Sequence, residues 1–583
     1  MPFAVTTRAY DRARSGANRN ETVLTADAVR TRGIKQLFTL GTPDDARGCE
    51  ASPLYASGVR RPDGSVHDIV VLATMGNVVY AYDANNATLL WKRLIGRPIK
   101  GTRAIDSHLI NDFWGILSTP VIEAGVIYGC AWISPDGTPD HGQHFAFALD
   151  VASGKDVHPL LNLEGAVFRP GHGLGDIRFR SAQRKQRAAL AVVGGALFIP
   201  FGTIAETAST ARGWIIAVDL ASWKVAASWC ATARGAGGGV WMAGAGPAML
   251  PNGDLVFLTG NGDFDGVTDF GESFVRLRYA PPTAGAGAAR FSVVDWWTPW
   301  TDDGRSGGNP EGEGETARPS NFRAVPHLAA HGRLRTNVAT GEWADMDLGS
   351  GGPTYIASLD LVAGAGKDGV LYALKAASMG KTRPADLDPG PNQANYAKLA
   401  FAPIFFTYYP PQLDPKPARI ETLNTLFADR THHQHGSAIS YRSPEFGEML
   451  FNWGENGNGR AWQVTSAGAK YLGCTAEVAS PESPVPPGGM PGGMLTLSCD
   501  ASKPGTAVLW ASIPYDDANL KVSGGRLVAY AATQFRNGLL VKLWDSQDWA
   551  HQFTHNKFNP PVVAGGKVFV PTYSGSVIVY GLA

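Results

Sequence analysis

Apolar and polar residues alternate in short runs along the whole chain, and one arrangement of them recurs. In its clearest copy, an apolar run at residues 78–80 leads into Ala81 and Asp83, a polar turn follows, and a second run leads to Trp91. The arrangement returns at residues 148–154 and 217–223 and, in weaker form, at residues 371–374, 460–463, 527–531 and 577–580. Short runs bounded by turn residues are typical of β-strands. The chain is therefore predicted to consist of repeated strand–turn–strand units.

Each predicted unit opens with small residues or proline ahead of an apolar strand. The openings lie at residues 51–54, 118–121, 187–190, 245–248, 352–355, 436–439, 492–495 and 559–562. Small residues suit the innermost strands of a ring, where bulky side chains would collide near the axis. Units repeated at intervals of about 40 residues or more indicate a β-propeller. We expect an all-β, eight-bladed β-propeller that spans residues 1–583 as a single domain; seven blades and a decorated half-blade are the alternative.

The last predicted unit stops before its outermost strand. Residues 34–40, in a segment at 20–45, are similar to the strand at residues 90–95. We expect this N-terminal strand to complete the eighth blade and close the ring, which removes an exposed sheet edge.

Two segments, near residues 301–346 and 382–434, fall outside the repeat. Long inserted loops are functional lids or surface insertions, and the aromatic patch at residues 405–411 favours a lid for the second segment.

Composition narrows the functional class. Basic and acidic residues balance at 51 each, so neither nucleic acid nor an anionic membrane surface is an expected partner. No apolar run approaches the ~18–20 residues of a membrane helix. The 5 cysteines are scattered, with no CxxC spacing for a metal; Cys474 and Cys499 either pair across one blade or are separate buried thiols. The N-terminus lacks the pattern of a secretory leader; we expect a cytoplasmic protein for the chain as it stands, and a periplasmic or secreted one if a leader was removed.

Candidate functional residues concentrate in the loops that precede the innermost strands. The candidate catalytic residues are His108, Asp112, His433 and His435, and the candidate cofactor-binding residues are Arg47, Glu50, Arg180, Lys185, Trp241 and Lys557. A propeller presents ligands on these loops, at one mouth of its axial channel. We therefore expect a small-molecule substrate to bind there.

His433 and His435 are the most informative pair among these residues. They are two positions apart, so in an extended chain both side chains project to the same side. Two imidazoles and a carboxylate from another unit are able to hold zinc, iron or copper. Acid–base chemistry or substrate contact and a purely structural role are the alternatives.

The cations Arg47, Arg180, Lys185 and Lys557 are expected to converge on an anion. Four cations at one mouth repel one another unless a carboxylate, a phosphate or an anionic cofactor lies between them. A surface ion pair is the alternative for each residue taken singly.

A possible calcium loop lies at residues 261–266. Oxygen-bearing side chains, including those of Asn261 and Asp263, occupy alternate positions there, as they do in calcium-binding loops. The segment lacks the length and the terminal Glu of an EF-hand, and an ordinary Asp-Gly hairpin turn is the alternative.

The recurring arrangement resembles the tryptophan-docking motif of the pyrroloquinoline-quinone (PQQ) repeat proteins, the eight-bladed propellers of quinoprotein alcohol dehydrogenases. The resemblance extends from about residue 20 to the end, and residues 115–122, 259–262, 366–372 and 491–495 look like a branch of mostly unassigned activity. It implies tryptophan rings that interlock neighbouring blades, PQQ with calcium as cofactor, and Asn261 as a calcium ligand. The chain has no adjacent Cys-Cys pair of the kind that the alcohol-oxidising members carry above the quinone.

These observations support three functional hypotheses. The first is a quinoprotein-like enzyme that acts on a small polar, anionic or hydroxylated substrate at the mouth of the channel, as in alcohol oxidation. The second is a lyase or hydrolase, either cofactor-free or assisted by a metal such as Zn or Fe, that uses His433 and His435. The third is a non-catalytic binding platform.

Overall fold

A computed structural model describes most of the chain, and nearly all of its regular secondary structure is β-strand. The described residues are 4–106, 108–205, 208–282, 287–298, 347–367, 371–381, 433–455, 457–466, 468–481, 490–519, 521–549 and 551–583. The two inserted segments therefore lie outside the described residues, apart from residues 433 and 434. No helix in the described ranges is long and apolar enough to cross a membrane. All five cysteines are buried free thiols.

Most strands pair as antiparallel meanders, which we label units A to H. Unit A comprises Leu54–Arg60, Val66–Ala73, Val78–Asp83 and Leu89–Leu94. Unit B comprises Val121–Glu123, Val126–Ile133, Gln143–Asp150 and Asp156–Asn162. Unit C comprises Ala191–Val193, Ala196–Thr203, Trp214–Asp219 and Lys224–Cys230. Unit D comprises Ala248–Met249, Leu255–Leu258, Phe274–Ala280 and Arg290–Trp297.

The remaining units follow the same plan. Unit E comprises Thr354–Ile356, Leu361–Ala365 and Leu371–Lys375 within the described residues. Unit F comprises Ile439–Ser443, Gly447–Asn452, Gly457–Thr465 and Gly468–Ala479. Unit G comprises Met494–Ser498, Val508–Pro514, Gly524–Arg536 and Leu539–Asp545. Unit H comprises Val562–Ala564, Lys567–Pro571, Ser576–Leu582 and Ile34–Gly41.

Several short strands and helical turns lie outside the four-strand pattern of these units. The additional strands are Ala4–Val5, Ala17–Asn18, Val167–Phe168, Ile177–Arg178, Arg184–Lys185 and Phe553–Thr554. The 3₁₀ turns are Ser181–Gln183, Met242–Gly244, Leu348–Ser350 and Ser546–Trp549. The α-helix of the described residues, Ala26–Arg32, begins where the Thr25 side chain accepts a hydrogen bond from the amide of Ala28, as N-cap residues do.

The N-terminal strand Ile34–Gly41 pairs antiparallel with Ser576–Leu582, the last strand of the chain. The pairing joins Lys35 to Gly581 and Gly41 to Ser576. It is the pairing that the sequence pattern predicts for this segment, and it covers the edge that the last strand would otherwise expose.

Apolar cores lie between neighbouring units rather than within any one of them. Ile69 of unit A, for example, shares a buried cluster with Phe147 of unit B. Such clusters join A to B, B to C, C to D, D to E, E to F, F to G, G to H and H back to A. This cyclic arrangement of β-sheets is consistent with a β-propeller.

A tryptophan links units A and B in the manner that the resemblance implies. The indole nitrogen of Trp91 donates a hydrogen bond to the carbonyl of Val151, at 3.0 Å. Its ring covers Gly154, where a Cβ atom would lie 2.5 Å from the ring. Gly154 has a φ of +69°, so both its backbone conformation and the ring above it require glycine.

Residues 4–21, here called the N-terminal segment, cross the first strands of the units. The Val5 backbone pairs with Tyr55, and Thr6, Arg12, Ala13, Ser15 and Gly16 accept backbone hydrogen bonds from Ile122, Met249, Tyr355, Ser440 and Leu497. Arg14 donates to the carbonyl of Leu190, and the Tyr10 hydroxyl accepts from the amide of Val563. The segment therefore bonds to every unit at or next to its first strand. The sequence pattern gave no sign of this role.

Candidate cavity and histidine cluster

A cavity of about 230 Å³ opens among loops that connect the units. Its lining residues are Ile105, Asp106, His108, Trp114, Lys185, Arg187, Thr203, Trp241, Lys367, Met490, Asn519, Lys557 and Phe558. Some of these residues precede the first strand of a unit, as predicted. Others, such as Lys367 and Asn519, follow the second strand of a unit. Two sets of loops therefore meet at this cavity.

Four cations face three aromatic rings around the cavity. The Lys185 ammonium lies 4.9 Å from the centre of the Trp114 ring, and the Lys367 ammonium lies 5.7 Å from that of Trp241. The Arg187 guanidinium lies between the rings of Trp114 and Phe558, at 5.4 and 5.2 Å, and the Lys557 ammonium is 5.6 Å from Phe558. Cation–π attraction of this kind partly offsets the cost of bringing like charges together.

A buried carboxylate holds one of these cations in place. Glu50 forms an ion pair with Arg187 at 2.7 Å and accepts hydrogen bonds from Asn111 and Tyr573 at 2.7 and 2.6 Å. Burial and the nearby Glu50 carboxylate raise the pKa of Tyr573 well above its ordinary value, so this hydroxyl stays protonated and donates. Glu50 thus lies behind Arg187 instead of lining the cavity.

A second buried carboxylate, Asp347, orients Lys367. One of its oxygens lies 3.1 Å from the Lys367 ammonium, and the other accepts a hydrogen bond from the backbone amide of Asn261 at 2.6 Å. Asp347 thereby connects the predicted calcium-ligand position to the cavity wall. Asp263 has a different task, because its carboxylate accepts a hydrogen bond from the backbone amide of Ala236 at 2.9 Å.

The environment of the cavity lowers the pKa of Lys557. Burial and the nearby positive charge of Arg187 lower the pKa of its ammonium to about 8. Its Nζ donates to the side-chain oxygen of Asn519 at 3.2 Å. A lysine titrating near neutral pH is able to exchange a proton with a bound ligand.

His433 and His435 lie side by side and share a buried carboxylate. Their rings are 5.9 Å apart. Nε2 of His435 is 2.8 Å from the Glu455 carboxylate, and Nδ1 of His433 is 3.7 Å from it. All three side chains are buried, and ligand atoms of the three lie within 4.8 Å of one another.

The backbone around the two histidines is fixed on both sides. Gln434, between them, donates its amide to the carbonyl of Gly366 and accepts from the Ser350 hydroxyl at its own carbonyl. The amide of Glu455 donates to the carbonyl of His433 at 3.0 Å. Both imidazoles lie on the side of Glu455, as the spacing of two positions predicts.

Burial disfavours the charged form of both members of the His435–Glu455 pair. Burial lowers the pKa of His435 well below its ordinary value, with a further contribution from His433. Burial also raises the pKa of Glu455 well above its ordinary value. The ring of His435 lies 6.3 Å from that of Trp241 and 5.5 Å from that of Phe558, two residues of the cavity wall.

The structure brings together only part of the predicted site. Of the expected cations, Lys185 and Lys557 line the cavity together with Trp241, and the exposed His108 lies at its edge. The other predicted residues are outside the lining, among them Arg47, Asp112 and Arg180. Arg47 donates to the carbonyl of Ile110, Asp112 is exposed, and Arg180 is 61% exposed and 3.4 Å from Glu164.

Several residues of the site were missed by sequence reasoning. They are Arg187, Lys367, Glu455, Asn519 and Phe558. Lys367, Glu455 and Asn519 each follow the second strand of a unit by a few residues. Asn261 occupies the same position in unit D. A search of the loops after second strands, as well as those before first strands, would have found them.

The comparisons with known proteins support the fold. No protein-family model matches the chain. No curated protein sequence matches it either. The structure is similar to quinohemoprotein alcohol dehydrogenase from Comamonas testosteroni, with a TM-score of 0.54 and 16% identity over 100% of this chain and 81% of that chain. Quinohemoprotein alcohol dehydrogenase ADHIIG from Pseudomonas putida HK5 matches with a TM-score of 0.48 and 13% identity over 100% of this chain and 80% of that chain. The first likeness establishes a shared fold and no more.

Proposed function

We propose that the cavity binds a planar, polyanionic quinone such as PQQ and that the protein is a quinoprotein-type oxidoreductase. Its substrate would be a small polar molecule, hydroxylated or anionic. The observation that carries this proposal is the grouping of Lys185, Arg187, Lys367 and Lys557 with three aromatic side chains around one cavity. We also propose that units A to H are eight blades of one ring and one domain, since their shared cores form a closed cycle.

The residues present fit a quinone of this kind. PQQ is a flat aromatic molecule with three carboxylates, so it needs ring faces to stack on and cations to neutralise it. The rings of Trp114, Trp241 and Phe558 provide the stacking faces, and the four cations provide the neutralising charge. The indole nitrogens of Trp114 and Trp241 are buried and have no hydrogen-bond acceptor among the described residues. A ligand carboxylate or carbonyl would supply one.

The protein's own groups have distinct tasks in this proposal. The bound quinone would supply a two-electron acceptor. Glu50 fixes the direction of the Arg187 guanidinium, and Asp347 fixes that of the Lys367 ammonium, so the positive groups are positioned before a ligand arrives. Lys557, with its lowered pKa, is placed to give or take a proton at Nζ. If calcium accompanies the quinone, the side-chain amide oxygen of Asn261 would be one of its ligands, as the resemblance implies.

Equilibrium titration with PQQ tests the proposal. We expect the purified protein to bind about one PQQ per chain, with a change in the quinone absorption band. Lys185→Met and Lys557→Met should each weaken binding by about 1–3 kcal/mol, the scale of a lost charged hydrogen bond. The matched control is Arg180→Met, which removes an exposed cation outside the cavity and should leave the affinity unchanged.

Two results would contradict the proposal. The first is the absence of PQQ binding in the presence and absence of calcium. The second is equal weakening by the cavity variants and by Arg180→Met, which would mean that PQQ is attracted by overall charge. Oxidoreductase activity is then tested separately, by reduction of an artificial electron acceptor with alcohols and hydroxy acids as substrates.

A further inference from the structure

We propose that His433, His435 and Glu455 form a binding site for one divalent transition-metal ion, next to the cavity but independent of any quinone. Two imidazoles and one carboxylate are a ligand set that zinc and iron(II) use in proteins. Three protein ligands leave a coordination position for water or for a substrate oxygen.

The distances suit such an ion. Ligands about 2.1 Å from a tetrahedral metal lie about 3.4 Å from one another. One Glu455 carboxylate oxygen lies 2.8 Å from Nε2 of His435, and the other lies 3.7 Å from Nδ1 of His433. Ligand atoms of the three residues all lie within 4.8 Å of one another, so side-chain movements on the order of 1 Å would complete the coordination geometry.

The site is built before any ion arrives. The two histidines are anchored through the backbone of Gln434, and the Glu455 amide bonds to the carbonyl of His433 at 3.0 Å. All three ligands are buried, so their side chains cannot turn away into water. A rigid, dry ligand set of this kind binds a metal without the entropy cost of ordering it.

The position of the site suggests what the ion would do. His435 packs near Trp241 and Phe558, which both line the cavity. A metal held by His435 would therefore lie behind this wall, where it could polarise a carbonyl or hydroxyl oxygen that reached its open position. The sequence gave metal binding as one interpretation of the two histidines, with a carboxylate from another unit. The structure instead brings Glu455 to them from the connection after the second strand of the same unit, F.

Metal titration without quinone tests this inference. Chelator-treated protein is titrated with Co²⁺ and then with Zn²⁺, and the visible absorption of bound Co²⁺ is recorded. We expect one Co²⁺ per chain, displaced by Zn²⁺, with the intense bands of a four-coordinate ion. Glu455→Gln and His433→Ala should each lower the affinity by on the order of 100-fold or more, beyond the 10–100-fold effect of changes outside the ligand shell. The matched control is His141→Ala, which removes an exposed histidine that contacts the single carboxylate of Asp136 at 2.6 Å.

Glu455→Gln keeps the shape of the side chain, so the inference remains testable if His433→Ala fails to fold. Saturable Co²⁺ binding that is lost in Glu455→Gln and retained in His141→Ala supports the site. Absence of stoichiometric Co²⁺ binding, or binding that Glu455→Gln leaves unchanged, overturns it. Because no quinone is present, either result is independent of whether PQQ binds in the cavity.

Discussion

At the scale of single residues, burying several positive charges around the cavity is energetically unfavourable. Lys557 is buried close to Arg187 and Lys185, and both neighbours disfavour its charged form. Such an arrangement is costly in the free protein and becomes favourable when an anion is bound, which is typical of residues selected for binding rather than for stability.

The lowered pKa of Lys557 predicts a pH-dependent stability. The folded protein loses this proton near pH 8, whereas the unfolded chain keeps it until about pH 10.4. Between these values the unfolded state binds more protons, so the contribution of Lys557 to stability rises with pH. Below pH 8 the full cost is present. Lys557→Met should therefore be more stable than the parent by about 1–3 kcal/mol at pH 7, and the advantage should disappear near pH 10.5.

Thermal or denaturant unfolding of both proteins from pH 7 to 10.5 measures this difference. Lys92→Met, which removes a 52% exposed lysine, is the control and should differ little from the parent throughout. Parallel stability curves for Lys557→Met and the parent would contradict the assigned titration.

At the scale of elements, the strands and turns could be predicted from the local pattern of apolar and polar residues. The set of residues that form the site could not. Residues 78–83 read as a strand because an apolar run ends at a turn signal, and they form one. Lys367 and Glu455 carry no such local signal. They become site residues only because loops after second strands fold to the same side as loops before first strands, and that is a property of the assembled sheets.

The contact between Trp91 and Gly154 predicts a position-specific effect of adding one methyl group. Gly154→Ala places a Cβ 2.5 Å from the indole ring at a φ of +69°. Gly171→Ala has nearly the same φ, +70°, but its Cβ meets nothing within 4 Å. We expect Gly171→Ala to cost about 1–2 kcal/mol from backbone strain alone and Gly154→Ala to cost about 1–3 kcal/mol more from overpacking.

A double-mutant cycle checks the cause. In a Trp91→Ala background, the difference between the two alanine variants in free energy of unfolding should largely vanish. If the difference persists in the Trp91→Ala background, the contact with Trp91 is not the reason that Gly154→Ala costs more stability than Gly171→Ala.

At the scale of the whole molecule, the N-terminal segment was the feature that sequence reasoning could not reach. Its residues have no period and no strong motif, because each bonds to a different unit. The ring itself was predictable, since every unit repeats the same local pattern. The partners of this segment are spread from Tyr55 to Val563. Its role can therefore be recognised only once the folded structure is known.

Arg14 allows the contribution of this segment to be measured. Its buried guanidinium donates to the carbonyls of Pro247, Leu190 and Arg8, and so ties the segment to units C and D. Arg14→Met leaves these acceptors buried without a donor, and we expect a loss of roughly 1–3 kcal/mol in stability. Arg12→Met, at a side chain that is 58% exposed, should change stability by less than about 0.5 kcal/mol. Equal midpoints of thermal unfolding for the two variants would show that the Arg14 contacts are not stabilising.

The N-terminal segment is synthesised long before some of its partners. Tyr10 and its partner Val563 are separated by 553 residues, which a ribosome translates in roughly half a minute to two minutes. During that time Tyr10 and the strand Ile34–Gly41 lack their partners in residues 562–582, because that part of unit H is made after units A to G. An interrupted chain would therefore keep an unpaired strand edge and an unsatisfied tyrosine at its start. Proteolytic sensitivity near the N-terminus would then distinguish incomplete chains from finished ones.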